Sequence, residues 1–324
     1  MYKVTLSNGV EFMCSGTQTI LEAAKVSKIA IEHSCRSGRC GVCSAQILQG
    51  ETTAFVVEES LSKGELLSGK LLTCCRTPLT DIHLDIMDLG EIGGLKTLTL
   101  PCRVESIGLF NDDVLDVVLR LPPNSDFVFL PGQYLDLING DVRRSYSIAN
   151  APRVDGKLEL HVKRVEHGLM SATLFSETKP NDLFRIEGPL GTFSYRDDNE
   201  ENIILMATGT GIAPIKALLE SFSRDVSQKN IFVVWGARFK KDIYLNLEHL
   251  LGSHQLLPVL SRENCDGFFY GYVQEAVLSL GLDLEKSSVY ACGSELMIKD
   301  ARDCLVKNGL VAQRFHSDAF VSSS

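Results

Sequence analysis

The pattern of apolar and polar residues divides the chain into three stretches, of which the first covers residues 1–88. Short apolar runs predict its β-strands: Tyr2–Leu6, Val10–Cys14, Ala45–Leu48 and Asp81–Ile86. Asn8-Gly9, between the first two runs, is typical of a hairpin turn. Thr19 and Glu22 have the spacing of a capping box, which predicts the start of a short helix. Strand pairs around one helix indicate a small β-grasp domain.

A glycine-rich segment without apolar periodicity follows this domain and predicts a linker over residues 89–98. Residues 99–196 then carry a series of short strand-like runs: Val114–Leu121, Gln133–Ile138, Arg144–Ile148, Lys157–Val165 and Asp182–Glu187. A helical pattern interrupts them at Met170–Glu177. Short strands closed by proline and glycine turns predict an antiparallel β-barrel.

The rhythm changes again in the last stretch, residues 197–324, where strands alternate with helical segments. The predicted strands are Ile203–Ala207, Ile231–Trp235, Leu256–Leu260 and Val289–Ala291. This alternation is typical of a doubly wound parallel sheet, the usual host of a nucleotide. The predicted fold is therefore a multidomain α+β protein with a β-grasp domain, an antiparallel β-barrel and an α/β Rossmann-like domain.

Composition narrows the choice of partners and compartment. The formal charge of −9 over 324 residues makes a nucleic-acid partner unexpected. No apolar run approaches eighteen residues, so we expect no membrane partner. The N-terminus has the pattern of a strand rather than of a signal peptide. Ten cysteines without an export signal indicate reduced thiols and metal ligation, and we expect a cytoplasmic protein.

Cysteine spacing supplies the strongest chemical signal. Cys35, Cys40 and Cys43 have the C-x4-C-x2-C spacing of a plant-type [2Fe–2S] cluster, and Cys74 follows at a distance. Zinc would favour two C-x2-C pairs or a mixture of cysteine and histidine. The adjacent Cys75 is an alternative fourth ligand. Such a cluster transfers one electron at a time, so an electron donor and an acceptor are required.

Three arginines fall beside the predicted cluster ligands: Arg36, Arg39 and Arg76. Their positive charge would offset the negative charge of the cluster. They could equally form part of a basic docking face for an electron acceptor. The sequence leaves both interpretations open.

The three domains in this order resemble a plant-type ferredoxin fused ahead of a ferredoxin–NADP reductase-like flavin module. The segments that carry the resemblance are the cysteine loop, Pro131–Tyr134, Arg144–Ser147, Gly209–Pro214 and Cys292-Gly293. The resemblance covers essentially the whole chain. It implies a plant-type [2Fe–2S] ferredoxin domain, a FAD-binding barrel and an NAD(P)-binding α/β domain. It also favours Cys74 as the fourth ligand, because an apolar-Thr pair precedes it and Pro78 follows.

For the flavin, the resemblance implies roles for three residues of the Arg-x-Tyr-Ser motif. Arg144 would bind the pyrophosphate, Tyr146 would pack on the isoalloxazine, and Ser147 would hydrogen-bond near its reactive N5. Gly168 and Ser171 begin the helix of the barrel and would bind the pyrophosphate at its N-terminus. A simple helix cap is the alternative for this pair.

For the nicotinamide coenzyme, the resemblance points to the carboxyl ends of the parallel strands. The residues implied in the phosphate cradle are Thr208, Gly209, Thr210, Gly211 and Pro214. Cys292 and Gly293 would lie against the nicotinamide, although Cys292 could instead be an ordinary buried cysteine. Ser261 and Arg262 follow a strand where related enzymes bind the 2′-phosphate. The coenzyme is NAD(P)H, and NADH is favoured.

The C-terminal tail completes the candidate set. His316-Ser-Asp318-Ala-Phe320 would fold back over the flavin, with Phe320 stacking and Asp318 supporting proton movement. A terminal phenylalanine left exposed would be unusual, which favours its burial.

The resemblance implies electron flow from NAD(P)H through FAD to the [2Fe–2S] cluster and on to a partner protein. Arg143–Asn150 and Ser317–Val321 particularly resemble reductases of the CDP-6-deoxy-3,4-glucoseen pathway, which serve a deoxysugar dehydrase in 3,6-dideoxysugar biosynthesis. The alternative is the electron-transfer component of a ring-hydroxylating dioxygenase or multicomponent monooxygenase. A redox-sensing module and a free-flavin reductase are two further hypotheses. We expect a monomer.

Overall fold

The computed structural model describes residues 1–197, 199–222, 226, 229–252 and 254–320. The chain forms two compact units. One consists of Met1–Leu95 together with the C-terminal segment that begins at Asp318, and the other of Lys96–Ser317. Within the described ranges, no helix is both long enough and apolar enough to cross a membrane.

The first unit contains the predicted β-grasp arrangement. Its strands are β1 Tyr2–Leu6, β2 Glu11–Cys14, β3 Ser44–Gln49, β4 Thr52–Ala54, β5 Lys70–Leu72, β6 Arg76–Pro78 and β7 Ile82–Leu84. Five of them form a sheet in the order β2-β1-β7-β3-β5, and β4 pairs with β6. The helices are α1 Ile20–Val26, α2 Lys63–Leu67 and α3 Glu91–Gly94.

Local sequence signals account for much of this unit. Gly9 has a φ of 80° in the turn between β1 and β2, so the predicted hairpin is confirmed. The predicted capping box at the start of α1 is also present: Thr19 Oγ1 accepts a hydrogen bond from the Glu22 N–H at 3.2 Å, and Glu22 Oε2 accepts one from the Thr19 N–H at 2.8 Å. The segment predicted as a linker contains α3. The apolar pattern did not predict this helix, because a single turn is too short to show helical periodicity.

The second unit contains the predicted antiparallel barrel. Its strands are β8 Leu98–Asn111, β9 Val114–Arg120, β10 Tyr134–Asn139, β11 Val142–Ser147, β12 Lys157–Lys163 and β13 Leu183–Leu190, and its helix is α4 Leu169–Ser176. The strand order is β11-β10-β13-β8-β9-β12, and a bridge between Ile148 and Leu160 links the two edges. The long strand β8 was not among the predicted runs; it contains Pro101, and a proline within a run argues against a strand.

The same unit contains the predicted parallel sheet. Its strands are β14 Asn202–Thr208, β15 Asn230–Ala237, β16 Gln255–Leu260, β17 Phe269–Tyr270, β18 Ser287–Ser294 and β19 Phe315–Phe320, in the order β17-β16-β15-β14-β18-β19. Its helices are α5 Ile212–Ser221, α6 Glu248–Leu251, α7 Val273–Ser279 and α8 Glu295–Lys307. The predicted fold class is confirmed. The sequence did not predict β19, within which the boundary between the two units falls.

Candidate functional site

The four predicted cluster ligands come together in the first unit as two thiol pairs. The sulfur atoms of Cys43 and Cys74 are 3.2 Å apart. The Cys40 thiol hydrogen-bonds to the sulfur of Cys35. Two pairs match the needs of a [2Fe–2S] cluster, in which each of the two irons takes two terminal thiolates.

A single metal ion would need a different arrangement. Within the described residues, no group of three or more His, Cys, Asp or Glu side chains is placed to hold one ion. Two separate cysteine pairs explain this result, because neither pair alone completes the tetrahedral set of a structural zinc site. The donor set therefore fits a two-iron cluster better than a zinc ion.

One sulfur of each pair is stabilised as a thiolate by the protein itself. The Cys40 thiol, together with backbone N–H groups of Ser37 and Cys40 that lie 3.4 Å from the Cys35 sulfur, lowers the pKa of Cys35 to about 4. The Cys43 thiol is the main cause that lowers the pKa of Cys74 to about 7. The same contacts raise the pKa of the partner thiols, Cys40 and Cys43, so each pair loses its first proton from one sulfur.

The sulfur of Cys75 lies 3.5 Å from that of Cys74, but the two thiols have different surroundings. Its thiol lies 3.9 Å from the Val57 carbonyl, which accepts from it, and burial raises the pKa of this thiol. The sulfur of Cys75 also lies on the crowded side of Gly38, where an added Cβ would be 2.9 Å from it. The backbone N–H of Gly38 instead donates to the sulfur of Cys74. These contacts support Cys74 as the ligand.

The three arginines of the loop region have different surroundings. Arg76 Nη2 lies 2.8 Å from Oε2 of the buried carboxylate of Glu58, and Glu58 Oε1 also accepts from the Leu72 N–H at 2.7 Å. Arg39 lies 4.0 Å from the exposed Glu59 carboxylate. Arg36 is exposed. Arg76 therefore forms an internal ion pair. Neither interpretation from the sequence, charge compensation for the cluster or a basic docking face, had included such a pair.

Asp318 has its hydrogen-bond partner in the first unit. Ser34 Oγ, one residue before Cys35, donates to Asp318 Oδ1 at 2.9 Å and lies 3.4 Å from the Ala319 carbonyl. Burial raises the pKa of Asp318 to about 6. Phe320 is 36% exposed, and its stacking on the flavin stays a prediction. The sequence carried no signal for Ser34, because 284 positions separate the two partners.

In the barrel, the predicted flavin motif lies on β11. Ser147 is 7% exposed, and its hydroxyl oxygen has no hydrogen-bond partner among the described residues. Burial raises the pKa of the neighbouring Tyr146 to about 12. Arg144 Nη1 donates to the Arg143 carbonyl at 2.7 Å. An unpaired buried hydroxyl is costly unless a ligand satisfies it, so Ser147 fits the expected flavin contact.

Gly168 and Ser171 occur, as predicted, at the start of α4. The Ser171 hydroxyl, however, serves its own loop. It donates to the Gly168 carbonyl at 3.0 Å and accepts from the Val165 N–H at 3.2 Å. The Ser171 side chain thus makes no cap hydrogen bond to α4, whose N-cap residue is Gly168. The backbone N–H groups of the first turn remain the groups that suit a pyrophosphate.

The nucleotide motif forms a tight junction between β14 and β18. Gly209–Gly211 forms one 3-10 turn, and Gly209 adopts a left-handed φ of 54°. A Cβ on Gly211 would collide with the Cys292 carbonyl, and one on Gly293 would collide with the Thr208 hydroxyl. Gly211 and Gly293 thus allow the two strand ends to meet in a cradle that leaves no room for a side chain at either position.

Ser261 and Arg262 follow β16, where they join the end of β15. The Ser261 N–H donates to the Ala237 carbonyl at 3.0 Å, and the Arg262 N–H donates to the Arg238 carbonyl at 3.1 Å. Glu263 Oε2 accepts from the Lys240 N–H at 2.7 Å. Sequence reasoning missed Arg238 and Glu263. Arg238 directly follows β15 and Glu263 lies three residues after β16, and such positions at the ends of parallel strands could have identified them.

Comparison with known proteins agrees with this geometry. The chain matches the 2Fe-2S iron-sulfur cluster binding domain over residues 4–80, the oxidoreductase FAD-binding domain over 101–195 and the oxidoreductase NAD-binding domain over 205–303. The CDP-6-deoxy-L-threo-D-glycero-4-hexulose-3-dehydrase reductase of Yersinia pestis is 40% identical over 98% of this chain and 97% of its own.

Two further relatives extend this likeness. Reductase component 1 of the terephthalate 1,2-dioxygenase of Comamonas sp is 30% identical over 97% of this chain and 95% of its own. The crystal structure of the Amycolatopsis cytochrome P450 reductase GcoB matches with a TM-score of 0.74 at 27% identity and covers both chains completely. All three relatives extend over the full three-domain arrangement.

Proposed function

The chain belongs to the family of iron–sulfur flavoprotein reductases that join a [2Fe–2S] domain to FAD-binding and NAD-binding domains, and we propose that it passes electrons to a deoxysugar dehydrase. It is an NAD(P)H-dependent oxidoreductase with FAD and a [2Fe–2S] cluster as cofactors. The observation that carries the proposed acceptor is the 40% identity, over nearly all of both chains, to a hexulose-3-dehydrase reductase. The acceptor would be the CDP-6-deoxyhexose dehydrase of 3,6-dideoxysugar biosynthesis.

We assign the flavin site to Arg144, Tyr146 and Ser147, with the first turn of α4 at Gly168 and Ser171. Ser147 offers a buried hydroxyl toward the flavin, and Arg144 offers a guanidinium for phosphate. Bound FAD supplies the conversion between two-electron and one-electron transfer, and the cluster supplies the one-electron outlet. The chain itself orients these groups and excludes water from them.

We assign the coenzyme site to the cradle at the ends of β14 and β18. Its residues are Thr208, Gly209, Thr210, Gly211, Pro214, Cys292 and Gly293. The backbone N–H groups at the start of α5 suit the pyrophosphate. Cys292 is fully buried at the strand end and offers a small, polarisable surface to the nicotinamide.

We propose NADH as the preferred coenzyme. Glu263 follows Ser261 and Arg262, and its carboxylate is held by the Lys240 N–H. A fixed negative charge there disfavours a 2′-phosphate and suits a ribose hydroxyl. Comparison of kcat/KM for NADH and NADPH tests this proposal, and a higher value for NADPH would contradict it.

We propose domain boundaries at residues 1–88, 89–98, 99–196 and 197–324, and each matched range falls within one of these domains. We also infer a monomer, because one chain supplies the proposed residues of all three cofactor sites. Ten free cysteines support a reducing compartment such as the cytoplasm. Asp318, with Ser34, and Phe320 form the proposed C-terminal part of the site.

Anaerobic coupling tests the acceptor. The assay contains the reductase, NADH, the dehydrase and its CDP-6-deoxyhexose substrate. Oxidation of NADH and formation of the dideoxysugar are measured in the same reaction. We expect product in proportion to NADH consumed. Cys40→Ser is the matched control: it should abolish product while NADH still reduces the FAD.

A dioxygenase component is the second candidate acceptor, because a terephthalate dioxygenase reductase component is 30% identical over nearly the full chain. The same assay with an oxygenase and its aromatic substrate separates the two. Turnover with the oxygenase and none with the dehydrase would overturn the proposed acceptor.

A further inference from the structure

A buried polar network connects the barrel to the nucleotide cradle within the second unit. Its members are Glu159 and His161 on β12, Lys216 on α5, Trp235 on β15 and Tyr244, which follows β15 along the chain. None of these residues belongs to a cofactor motif of the sequence. Both arms of the network begin at Glu159, the first directly and the second through His161.

The first arm reaches the helix that follows the cradle. Lys216 Nζ lies 3.0 Å from Glu159 Oε2, 2.6 Å from Glu220 Oε1 and 3.1 Å from the Ala149 carbonyl. Lys216 is 6% exposed and Glu159 is 8% exposed. Burial opposes ionisation of Glu159, yet His161 and Lys216 lower its pKa to about 2. The barrel therefore holds α5 through a buried ion pair.

The second arm reaches the cradle turn itself. His161 Nε2 lies 3.1 Å from Glu159 Oε1, and His161 Nδ1 lies 2.9 Å from the Tyr244 hydroxyl. The Tyr244 ring packs perpendicular to the Trp235 ring at 5.3 Å between centroids. Trp235 is fully buried, and its Nε1–H donates to the Gly209 carbonyl at 3.0 Å.

The Trp235 bond has a consequence for coenzyme binding. The carbonyl of Gly209 and the N–H of Thr210 belong to one planar trans peptide, so they point in opposite directions. A carbonyl held toward Trp235 therefore directs the Thr210 N–H away from it. At Gly209 the left-handed φ of 54° needs such a restraint, because glycine has the most freedom to change conformation.

We propose that Trp235 is a positioning residue that orients the Thr210 N–H for the coenzyme pyrophosphate, and that Glu159 and His161 hold this cradle against the flavin barrel. The inference rests on the proposed assignment of the coenzyme site.

Trp235→Phe tests the proposal, since it keeps a buried ring and removes the side-chain hydrogen bond to the Gly209 carbonyl, while the turn hydrogen bond from the Ile212 N–H stays in place. Loss of one hydrogen bond should raise the Kd of the oxidised holoenzyme for NAD⁺, and the KM for NADH, about tenfold. The limiting rate of FAD reduction at saturating NADH should change less than about twofold. Calorimetry gives the Kd without turnover, and stopped-flow absorbance gives the rate.

Tyr195→Phe is the matched control. It removes a half-buried hydroxyl of the same compact unit, one that bonds Glu200 and Lys229 rather than the network. Its Kd for NAD⁺ should equal that of the wild type. An equal rise in both variants would indicate a general loss of structure and would overturn the proposal.

Tyr244→Phe keeps the test valid if Trp235→Phe does not fold. It removes the hydroxyl that bonds His161 but keeps the ring against Trp235. A Kd about threefold higher is expected. Wild-type affinity in every folded network variant would contradict the role. No acceptor protein takes part, so a failed dehydrase assay leaves this test intact, whereas a wild type that binds neither coenzyme refutes the proposed function itself.

Discussion

Ser34 donates a 2.9 Å hydrogen bond to the carboxylate of Asp318, although the two residues lie near opposite ends of the chain. Ser34 directly precedes the proposed cluster ligand Cys35. The C-terminal segment is thereby tied to the segment that begins the cluster loop. Because Asp318 is buried, this contact makes the stability of the first unit sensitive to pH.

Asp318→Asn should stabilise the protein at neutral pH and not in acid. Burial raises the pKa of Asp318 to about 6, so the folded state holds a proton that the unfolded state releases near pH 4. The contribution of this carboxyl group to the free energy of unfolding is therefore complete below about pH 4. It is lost as the pH rises through about 6, a total of about 2–3 kcal/mol. Thermal unfolding at about pH 5 and about pH 7.5 measures the difference between variant and wild type.

Asp85→Asn, on the same unit but exposed, provides the control for that experiment. The difference in stability between Asp85→Asn and the wild type should be the same at both pH values. A constant difference between Asp318→Asn and the wild type across the range would contradict the effect of burial.

Cys74→Ser should prevent assembly of the cluster, whereas Cys75→Ser should retain it. Cys74 pairs with Cys43, and the Cys75 thiol lies beside the Val57 carbonyl. Iron and sulfide content and the electron paramagnetic resonance spectrum after reduction give the measurement. A cluster in the Cys74 variant and none in the Cys75 variant would reverse the assignment.

Ser147→Ala should slow reduction of the flavin by NADH. A hydrogen bond to a charged or reacting group contributes about 1.5–3 kcal/mol, which corresponds to roughly tenfold to a hundredfold in rate. Ser145→Ala removes a neighbouring hydroxyl that already bonds Asp136 at 2.6 Å, so it serves as the control. Equal rates in Ser147→Ala and wild type, measured by stopped flow, would exclude the contact.

Gly211→Ala should weaken coenzyme binding more than Gly209→Ala does. The new methyl group at position 211 would collide with the Cys292 carbonyl, whereas position 209 is open and carries only the strain of its left-handed φ, about 1 kcal/mol. The Kd for NAD⁺ should rise at least tenfold further in the first variant. Similar Kd values would show that the cradle is not tightly closed.

Arg76→Met should destabilise the first unit by about 3 kcal/mol, because it leaves the Glu58 carboxylate buried without its cation. Arg36→Met, an exposed change in the cluster loop, should have an effect near zero. Urea unfolding followed through cluster absorbance compares the two. Equal free energies of unfolding for the two variants would mean that the Arg76–Glu58 ion pair does not stabilise the unit and that Arg76 contributes only its positive charge near the loop.

Features that depend on neighbouring residues were predictable from the sequence. The Asn8-Gly9 hairpin, the Thr19 capping box and the strand–helix alternation of the last stretch all appear in the structure. The physical reason is that turns and caps use hydrogen bonds within a few positions, so residue types and spacing encode them directly. The four cysteines likewise carry their chemistry in their spacing.

The sequence by itself determined the domain types, the cofactor motifs and the order in which they occur. Only the tertiary structure decided which distant groups meet: Arg76 with Glu58, Ser34 with Asp318, and β12 with the Gly209 turn through Trp235. Such partners are set by the packing of whole segments rather than by local spacing. Burial then gives these pairs their energetic weight, because an unpaired polar group inside the protein is far more costly than one in water.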